Sequence, residues 1–316
     1  PRECVLGEGQ HGFCYVRQNQ SGQLVNLAYG HPIAVHVDPI EKKPLYHFLP
    51  GSSILSLGTA GCNMGCRFCQ NWDLTKAKDD LEQTTNYPPE DIVSIAERYG
   101  APSIAFTYNE PTIWGEYVVD VSSLAHERGI RTVMVTNGYI SHEALRDIYA
   151  HIDAANVDLK SFTEEFYRGM TLSHLQPVLD TLVQLKNETN TWFEITTLLV
   201  PGKNDDPAET SRMCQWISRN LGPDVPLHLT AFHPDYQLMD SPPTSGVALQ
   251  LARRIAMEEG LRYVYTGNVH DPAGQTTFCP RCQSPLIARN WHTITMNALE
   301  NGACRSCGET IAGCWK

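Results

Sequence analysis

Ile54-Leu55-Ser56-Leu57-Gly58-Thr59-Ala60-Gly61-Cys62-Asn63-Met64-Gly65-Cys66-Arg67-Phe68-Cys69 is the stretch that decides how this chain is read. The apolar run Ile54–Leu57 predicts a buried strand, and it empties into a loop with three cysteines in C-x3-C-x2-C spacing. Thiolates so placed can wrap three irons of a cubane cluster. Such cubanes normally take four cysteines, so three leave one iron open, which points to chemistry. Gly61 and Gly65 permit the positive φ angles of a tight wrap. A structural zinc loop is the plain alternative, because Cys66-x2-Cys69 is also a zinc knuckle. It needs a fourth ligand, and none follows within short reach.

Outward from this loop, short apolar runs alternate with amphipathic patterns from Ser52 to Asn268. Strands are expected at Ile54–Leu57, Ser103–Thr107, Arg131–Val135, Ala154–Val157, Phe193–Val200, Leu227–Phe232 and Arg262–Tyr265. One helix is expected after Pro88-Pro89, closing at Gly100. Another carries Trp114, Tyr117, Val118, Val121, Leu124 and Ala125 and stops at Gly129, and Ser141 is placed to cap a third. Strand–helix units of this length require parallel strands, and six or more in succession suit a full or partial (β/α) barrel. Before Gly51, alternating patterns at Phe13–Arg17 and Leu24–Leu27 flank Gln18–Gln23 and predict a hairpin. The expected organisation is an N-terminal β-rich segment over 1–50, a barrel over 51–270 and a cysteine-rich tail over 271–316.

The 24 basic and 35 acidic residues give a net charge of −11, which argues against a protein that wraps nucleic acid. There is no apolar run of eighteen residues, so no membrane-spanning helix is expected, and the opening residues do not read as a secretory signal. Eleven cysteines, an odd number with six of them in three C-x2-C pairs, read as metal ligands in a reducing compartment, with the cytoplasm the expected location.

Active residues of barrel folds gather where strands end. Asn109 and Glu110 follow the second expected strand, Thr136 and Asn137 the third, Asp158 and Lys160 the fourth, Pro201-Gly202-Lys203-Asn204-Asp205 the fifth, His233 the sixth and Gly267-Asn268 the seventh. Asn, Asp and Gly also occupy such loops simply to turn the chain; recurrence after six strands favours a site. Asp158 and Lys160 lie two apart and share a face of a strand, which also suits a plain rim ion pair. His233 serves equally as a rim histidine.

In the tail, Cys279-x2-Cys282 and Cys304-x2-Cys307 are separated by 21 residues. Paired knuckles are a strong signal for a tetrahedral ion, zinc or rubredoxin-like iron. Some 46 residues build little core alone, so metal binding would supply much of the folding energy. Cys314 is spare.

The loop from Gly61 to Asn71, with an aromatic residue, Phe68, before its third cysteine, resembles the signature of radical S-adenosylmethionine (SAM) enzymes. More closely, the chain resembles the radical SAM member of the AmmeMemoRadiSam system, related to pyruvate formate-lyase activating enzyme. That resemblance runs through Asp38-Pro39-Ile40-Glu41-Lys42-Lys43-Pro44-Leu45-Tyr46-His47, Tyr108–Thr112, Asp158-Leu159-Lys160, Phe232–Tyr236 and the last cysteines. It implies a partial (β/α)6 radical SAM barrel with a small C-terminal Cys4 zinc-ribbon or rubredoxin-like module. It also implies a 4Fe–4S cluster on Cys62, Cys66 and Cys69, and SAM chelating the open iron, to be cleaved reductively to a 5′-deoxyadenosyl radical.

By the same resemblance, Phe68, Asn109, Glu110, Thr136, Asn137, Asp158, Lys160 and His233 would hold SAM. Glu110 would accept from its ammonium, Lys160 would meet its carboxylate, and Asp158 a ribose hydroxyl or a cation. The superfamily usually closes a Gly-Gly-Glu motif at Glu110, where this chain reads Tyr108-Asn109-Glu110. Cys4 and Cys14 resemble the latter half of a four-cysteine segment whose first positions precede Pro1; two isolated thiols are the alternative.

Expected partners are Memo-like and AMMECR-like proteins and a reductase or flavodoxin-type electron donor, with a protein or partner-presented substrate. A glycyl-radical-enzyme activase is the competing enzyme reading. A non-catalytic iron–sulfur carrier or zinc docking module is the reading from another class, and a nucleic-acid-modifying enzyme a third.

Overall fold

Parallel strands joined through helices make up most of the protein in a computed structural model, which describes residues 1–77, 81 and 84–316. The strands are β1 (Arg17–Gln20), β2 (Gln23–Asn26), β3 (Ala34–Pro39), β4 (Ser53–Gly58), β5 (Ser103–Phe106), β6 (Arg131–Thr136), β7 (Ala154–Asp158), β8 (Trp192–Leu199), β9 (Leu227–Ala231) and β10 (Val264–Gly267). In the tail follow β11 (Thr277–Phe278), β12 (Pro285–Asn290), β13 (Thr293–Asn297), β14 (Leu299–Glu300) and β15 (Ala303–Cys304). The helices are α1 (Trp72–Thr75), α2 (Pro89–Arg98), α3 (Gly115–Glu127), α4 (His142–Tyr149), α5 (Glu164–Phe166), α6 (Leu175–Glu188), α7 (Pro207–Asn220), α8 (Gly246–Glu258) and α9 (Pro272–Gln275). Two compact units result. Residues 1–38, 53–155 and 168–191 make the first, and residues 39–52, 156–167 and 192–316 the second.

In the first unit the strand order is β6-β5-β4-β3. Leu55 pairs with Ile104 and Ile104 with Thr132, both in parallel. Ile54, Leu55 and Leu57 are all buried, as a strand covered on both faces requires, so the sequence shows a run rather than an alternation. Pro89, with φ already set for helix, opens α2, and Ile92, Val93 and Ala96 are its buried stripe. Burying Ile92 and Val93 contributes about 1.5–3 kcal/mol each. Ser141 caps α4 by accepting from the Ala144 amide.

The N-terminal hairpin differs from expectation. Its strands pair from Arg17↔Asn26 to Gln20↔Gln23, so Gln18–Gln20 lie in β1 and only Ser21-Gly22 turn. Both have positive φ, 53° and 79°, the geometry that lets a two-residue turn match strand twist. Polar side chains hid the strand because this hairpin is largely exposed on both faces.

In the second unit the order is β10-β9-β8-β7, with β8–β9 and β9–β10 parallel. Glu194 lies fully buried within β8. It accepts from the amides of Tyr46 (3.0 Å) and His47 (2.7 Å), from His228 Nε2 (2.6 Å) and from Trp192 Nε1 (3.2 Å). Burial pushes its pKa up, but the bond from His228 and that imidazole's charge outweigh burial and hold it below the usual carboxylate range. This one carboxylate therefore seats residues 39–52 in the unit.

The tail joins the same core. Tyr46, Tyr263 and Tyr265 pack with Cys279, Leu286, Ile287, Cys304 and Ile311. His47 Nδ1 donates to Ala312 O (2.6 Å), and its Nε2 accepts from the Tyr265 hydroxyl (2.5 Å). Cys314 is a bridge residue: its amide donates to His47 O and its carbonyl accepts from Leu49. No helix among the described residues is long and apolar enough to cross a membrane.

Complete burial lowers the His47 pKa to about 4 from 6.5. Between those values the unfolded chain takes up a proton that the folded chain refuses. Stability should therefore fall as pH drops through that window, at up to about 1.4 kcal/mol per pH unit from this residue, and level off below it. In urea melts between pH 7 and 4, His47→Gln should show a shallower slope than the wild type. Equal slopes would show that His47 does not stay neutral in the fold.

Candidate active site

The cysteine loop leaves β4 through Gly58, where a Cβ would stand 2.7 Å from Thr107 O. Gly61, at φ +84°, passes so close to Cys14 that a Cβ would lie 2.1 Å from the Cys14 carbonyl oxygen. Only glycine meets both demands there. Asn109 staples the start of the loop: its Oδ1 accepts from the Thr59 amide (3.2 Å) and its Nδ2 donates to Gly61 O (3.1 Å). Farther on, the Gly65 amide donates to Thr171 O (2.8 Å) and the Arg67 amide to Met170 O (2.9 Å). Phe68 is buried.

Cys62 and Cys69 each have a donor or hydroxyl beside the sulfur. The Met64 amide lies 3.5 Å from Cys62 Sγ, Asn137 Nδ2 3.8 Å from the same sulfur, and Thr75 Oγ1 3.4 Å from Cys69 Sγ. Burial pushes the Cys62 thiol up, and the charges of Cys66 and Glu110 add to it. A cationic metal centre reverses that balance, since coordinated thiols are deprotonated outright.

Sulfurs around one tetrahedral ion stand about 3.8 Å apart when each metal–sulfur bond is about 2.3 Å. The tail meets this: Cys279 and Cys307 are 3.6 Å apart, Cys282 and Cys304 3.7 Å, and all four sulfurs lie within 4.8 Å of one another. Among the described residues no other group of three metal-ligating side chains is so tight. Cys62 feels the charges of Cys66 and Cys69, so three soft donors stand near one another on a single loop. The tail site is a pair of matching knuckles. Cys279 O accepts from the Gln283 amide and Cys304 O from Gly308, both of which take left-handed φ, 60° and 76°.

Glu110, 1% exposed, forms the polar floor of the first unit's site. Oε1 accepts from the Thr112 amide (3.0 Å) and the hydroxyls of Thr112 (2.6 Å) and Thr136 (2.8 Å). Oε2 accepts from the Asn137 amide (2.7 Å) and Thr136 Oγ1 (3.0 Å). Burial raises its pKa against the pull of these bonds. Four donors fill the roughly four lone-pair directions of a carboxylate, so a ligand ammonium can bind only if a threonine hydroxyl turns away. Tyr108 keeps φ at +72° although it stands where glycine is usual, and its hydroxyl donates to Asp38 Oδ2 (2.8 Å). That left-handed backbone costs a tyrosine about 1–3 kcal/mol.

Asp158, Lys160 and His233 belong to the second unit. Lys160 Nζ binds Asp158 Oδ2 at 2.7 Å, and Asn204 Nδ2 donates to Lys160 O at 2.6 Å. His233 is exposed beyond β9, its Nδ1 3.3 Å from Pro234 O. Within the first unit, Cys62, Asn109, Glu110, Thr136 and Asn137 come together through the bonds above. Sequence reasoning passed over Asn63, whose Oδ1 accepts from Asn137 Nδ2 (2.8 Å), and Thr112. Asn63 stands inside the quoted signature, and that position was its one visible signal.

A strand-to-loop thiolate triad, an acidic floor beside it and parallel β/α units define an iron–sulfur enzyme class. The chain belongs to the Radical SAM superfamily, whose model matches residues 56–214. It is 42% identical to the Methanocaldococcus jannaschii protein MJ0808, described as uncharacterized, over 98% of this chain and 93% of that one. It is 23% identical to the pyruvate formate-lyase-activating enzyme of Listeria monocytogenes, over 50% of this chain and 66% of that one. A radical SAM methyltransferase from Sphaerobacter thermophilus shares the fold, with a TM-score of 0.53 at 15% identity over 70% of this chain and 68% of that one. The chain is thus a radical SAM enzyme, and the family implies a 4Fe–4S cluster and SAM.

Cys304→Ser should abolish stoichiometric metal at the tail while iron held by Cys62, Cys66 and Cys69 stays bound. Elemental analysis of both forms decides this. Parallel loss of all iron would mean that the two sites are not independent.

Proposed function

We propose that Cys62, Cys66 and Cys69 hold a 4Fe–4S cluster with one open iron, where SAM is cleaved reductively to start radical chemistry on a protein or partner-presented substrate. The observation that carries this is three neighbouring thiols on a loop gripped by its surroundings. Once bound, the cluster supplies a low-potential electron for breaking a carbon–sulfur bond of SAM.

The chain's own residues then bind and orient. Asn109 fixes the loop, and Phe68 backs it. Glu110, with Thr136 and Asn137 attached, offers the SAM ammonium a negative partner once a hydroxyl donor yields. Asp158 and Lys160 would exchange their mutual pair for a ribose hydroxyl and the SAM carboxylate. His233, exposed past its strand, would meet the adenosyl end or the substrate. The strand–helix units are read as a partial (β/α)6 barrel and the tail as a zinc-ribbon or rubredoxin-like module.

Memo-like and AMMECR-like proteins are the proposed partners, with a reductase or flavodoxin-type donor. Cysteines in C-x2-C pairs, read as metal ligands, favour the cytoplasm. Glycyl-radical activation is the second reading, favoured by the similarity to the Listeria activating enzyme. That similarity spans half of the chain, against 98% for MJ0808.

Anaerobic reconstitution with iron and sulfide, then SAM and dithionite, should yield 5′-deoxyadenosine or another SAM fragment by mass spectrometry. Cys69→Ala should lose cluster absorbance and product together; retained cleavage would overturn the assignment. Glu110→Gln should keep the cluster but weaken SAM about tenfold in equilibrium dialysis, the worth of one hydrogen bond to a charged group. Unchanged affinity would remove Glu110 from the SAM site.

A further inference from the structure

We propose that Arg2 is a positioning residue for the cluster centre, a cation that fixes the cysteine loop and offsets the charge it carries. This rests on the reading of Cys62, Cys66 and Cys69 as cluster ligands. Arg2 Nη2 donates to Asn63 O at 2.7 Å and to Leu172 O at 2.6 Å. Its guanidinium lies 3.9 Å from the centre of the Phe13 ring and 5.6 Å from that of Tyr139. Among the described residues no carboxylate pairs with it, and its Nε is buried without a hydrogen-bond partner. A half-buried cation held by two carbonyls and two rings is expensive to desolvate, so a nearby negative charge is the natural compensation.

The two carbonyls lie on the two segments that form the loop's backbone support. Asn63 directly follows Cys62, and its side chain donates to Tyr139 O (2.7 Å) while accepting from Asn137, whose Nδ2 is the amide near Cys62 Sγ. Leu172, at φ +53°, directly follows Met170 and Thr171, the residues whose carbonyls accept from Arg67 and Gly65. A Cβ on Gly65 would meet Leu172 Cδ1 at 2.7 Å and the Phe13 ring at 3.3 Å, so the same three parts close around the loop. One planar guanidinium can bond both carbonyls and stack on a ring; an ammonium cannot. Three thiolates leave a bound cluster anionic and reduction adds a further negative charge, so a fixed cation favours the reduced form.

The test is the protein reconstituted anaerobically as wild type, Arg2→Met and Arg2→Lys. It reads the midpoint potential by titration under electron paramagnetic resonance and iron release to bathophenanthroline by absorbance. Arg2→Met should shift the midpoint to more negative potential and release iron about tenfold faster, as loss of an outer partner of a metal site does. Arg2→Lys should recover most of the potential but not the retention. If Arg2→Met matches the wild type in both, or if both variants lose iron equally at an unmoved potential, the proposal fails. If Arg2→Met does not fold, Arg2→Lys against the wild type carries the same decision, unchanged retention overturning the proposal. A wild-type chain that takes up no cluster would instead overturn the reading of the three cysteines.

Discussion

Three thiolates that repel one another must be kept apart and still aimed at one centre; every other feature of the first unit follows from this constraint. A loop left to itself would lose that geometry to chain entropy, about 1–2 kcal/mol per residue ordered. Here its backbone is tied at both ends. Asn109 bonds Thr59 and Gly61, and Thr171 and Met170 bond Gly65 and Arg67. Gly61 has no side chain because Cys14 occupies the space where one would stand. The amides and hydroxyls beside the sulfurs then stabilise thiolate over thiol, as donors around metal sites do.

Glu110 illustrates how function and stability share a residue. A buried carboxylate without partners is costly, and this one is satisfied by Thr112, Thr136 and Asn137. The same bonds place Asn137 near Cys62 and Asn63. In the second unit Glu194 plays a purely internal part, gathering Tyr46, His47 and His228, while the tail's cysteines share a core with Tyr46 and Tyr265. The tail is short of apolar core of its own, and it borrows one.

Much of the scaffold was legible because its strands are covered on both faces. Ile54–Leu57 and Leu227–Phe232 read as apolar runs, and Pro89, Gly129 and Ser141 mark helix ends by backbone chemistry. The two cysteine sets were legible from spacing, and the tail's four sulfurs stand at separations that suit one tetrahedral ion. The hairpin β1–β2 was placed a few residues off because neither face is buried, which leaves no pattern to fix register. Asn109 bonds the cysteine loop some fifty positions away, a support that no local pattern reveals. Arg2 and Asn63 were not legible for the same reason: a partner carbonyl leaves no trace in the sequence around the donor.

The central claim is that one iron is left without a protein ligand. Electron paramagnetic resonance of the dithionite-reduced, reconstituted chain, recorded with and without SAM labelled with nitrogen-15 at its amino group, addresses it directly. The account predicts a spectrum that changes on adding SAM and hyperfine coupling to the label. A reduced cluster whose spectrum is the same with and without SAM, with no coupling, would contradict it.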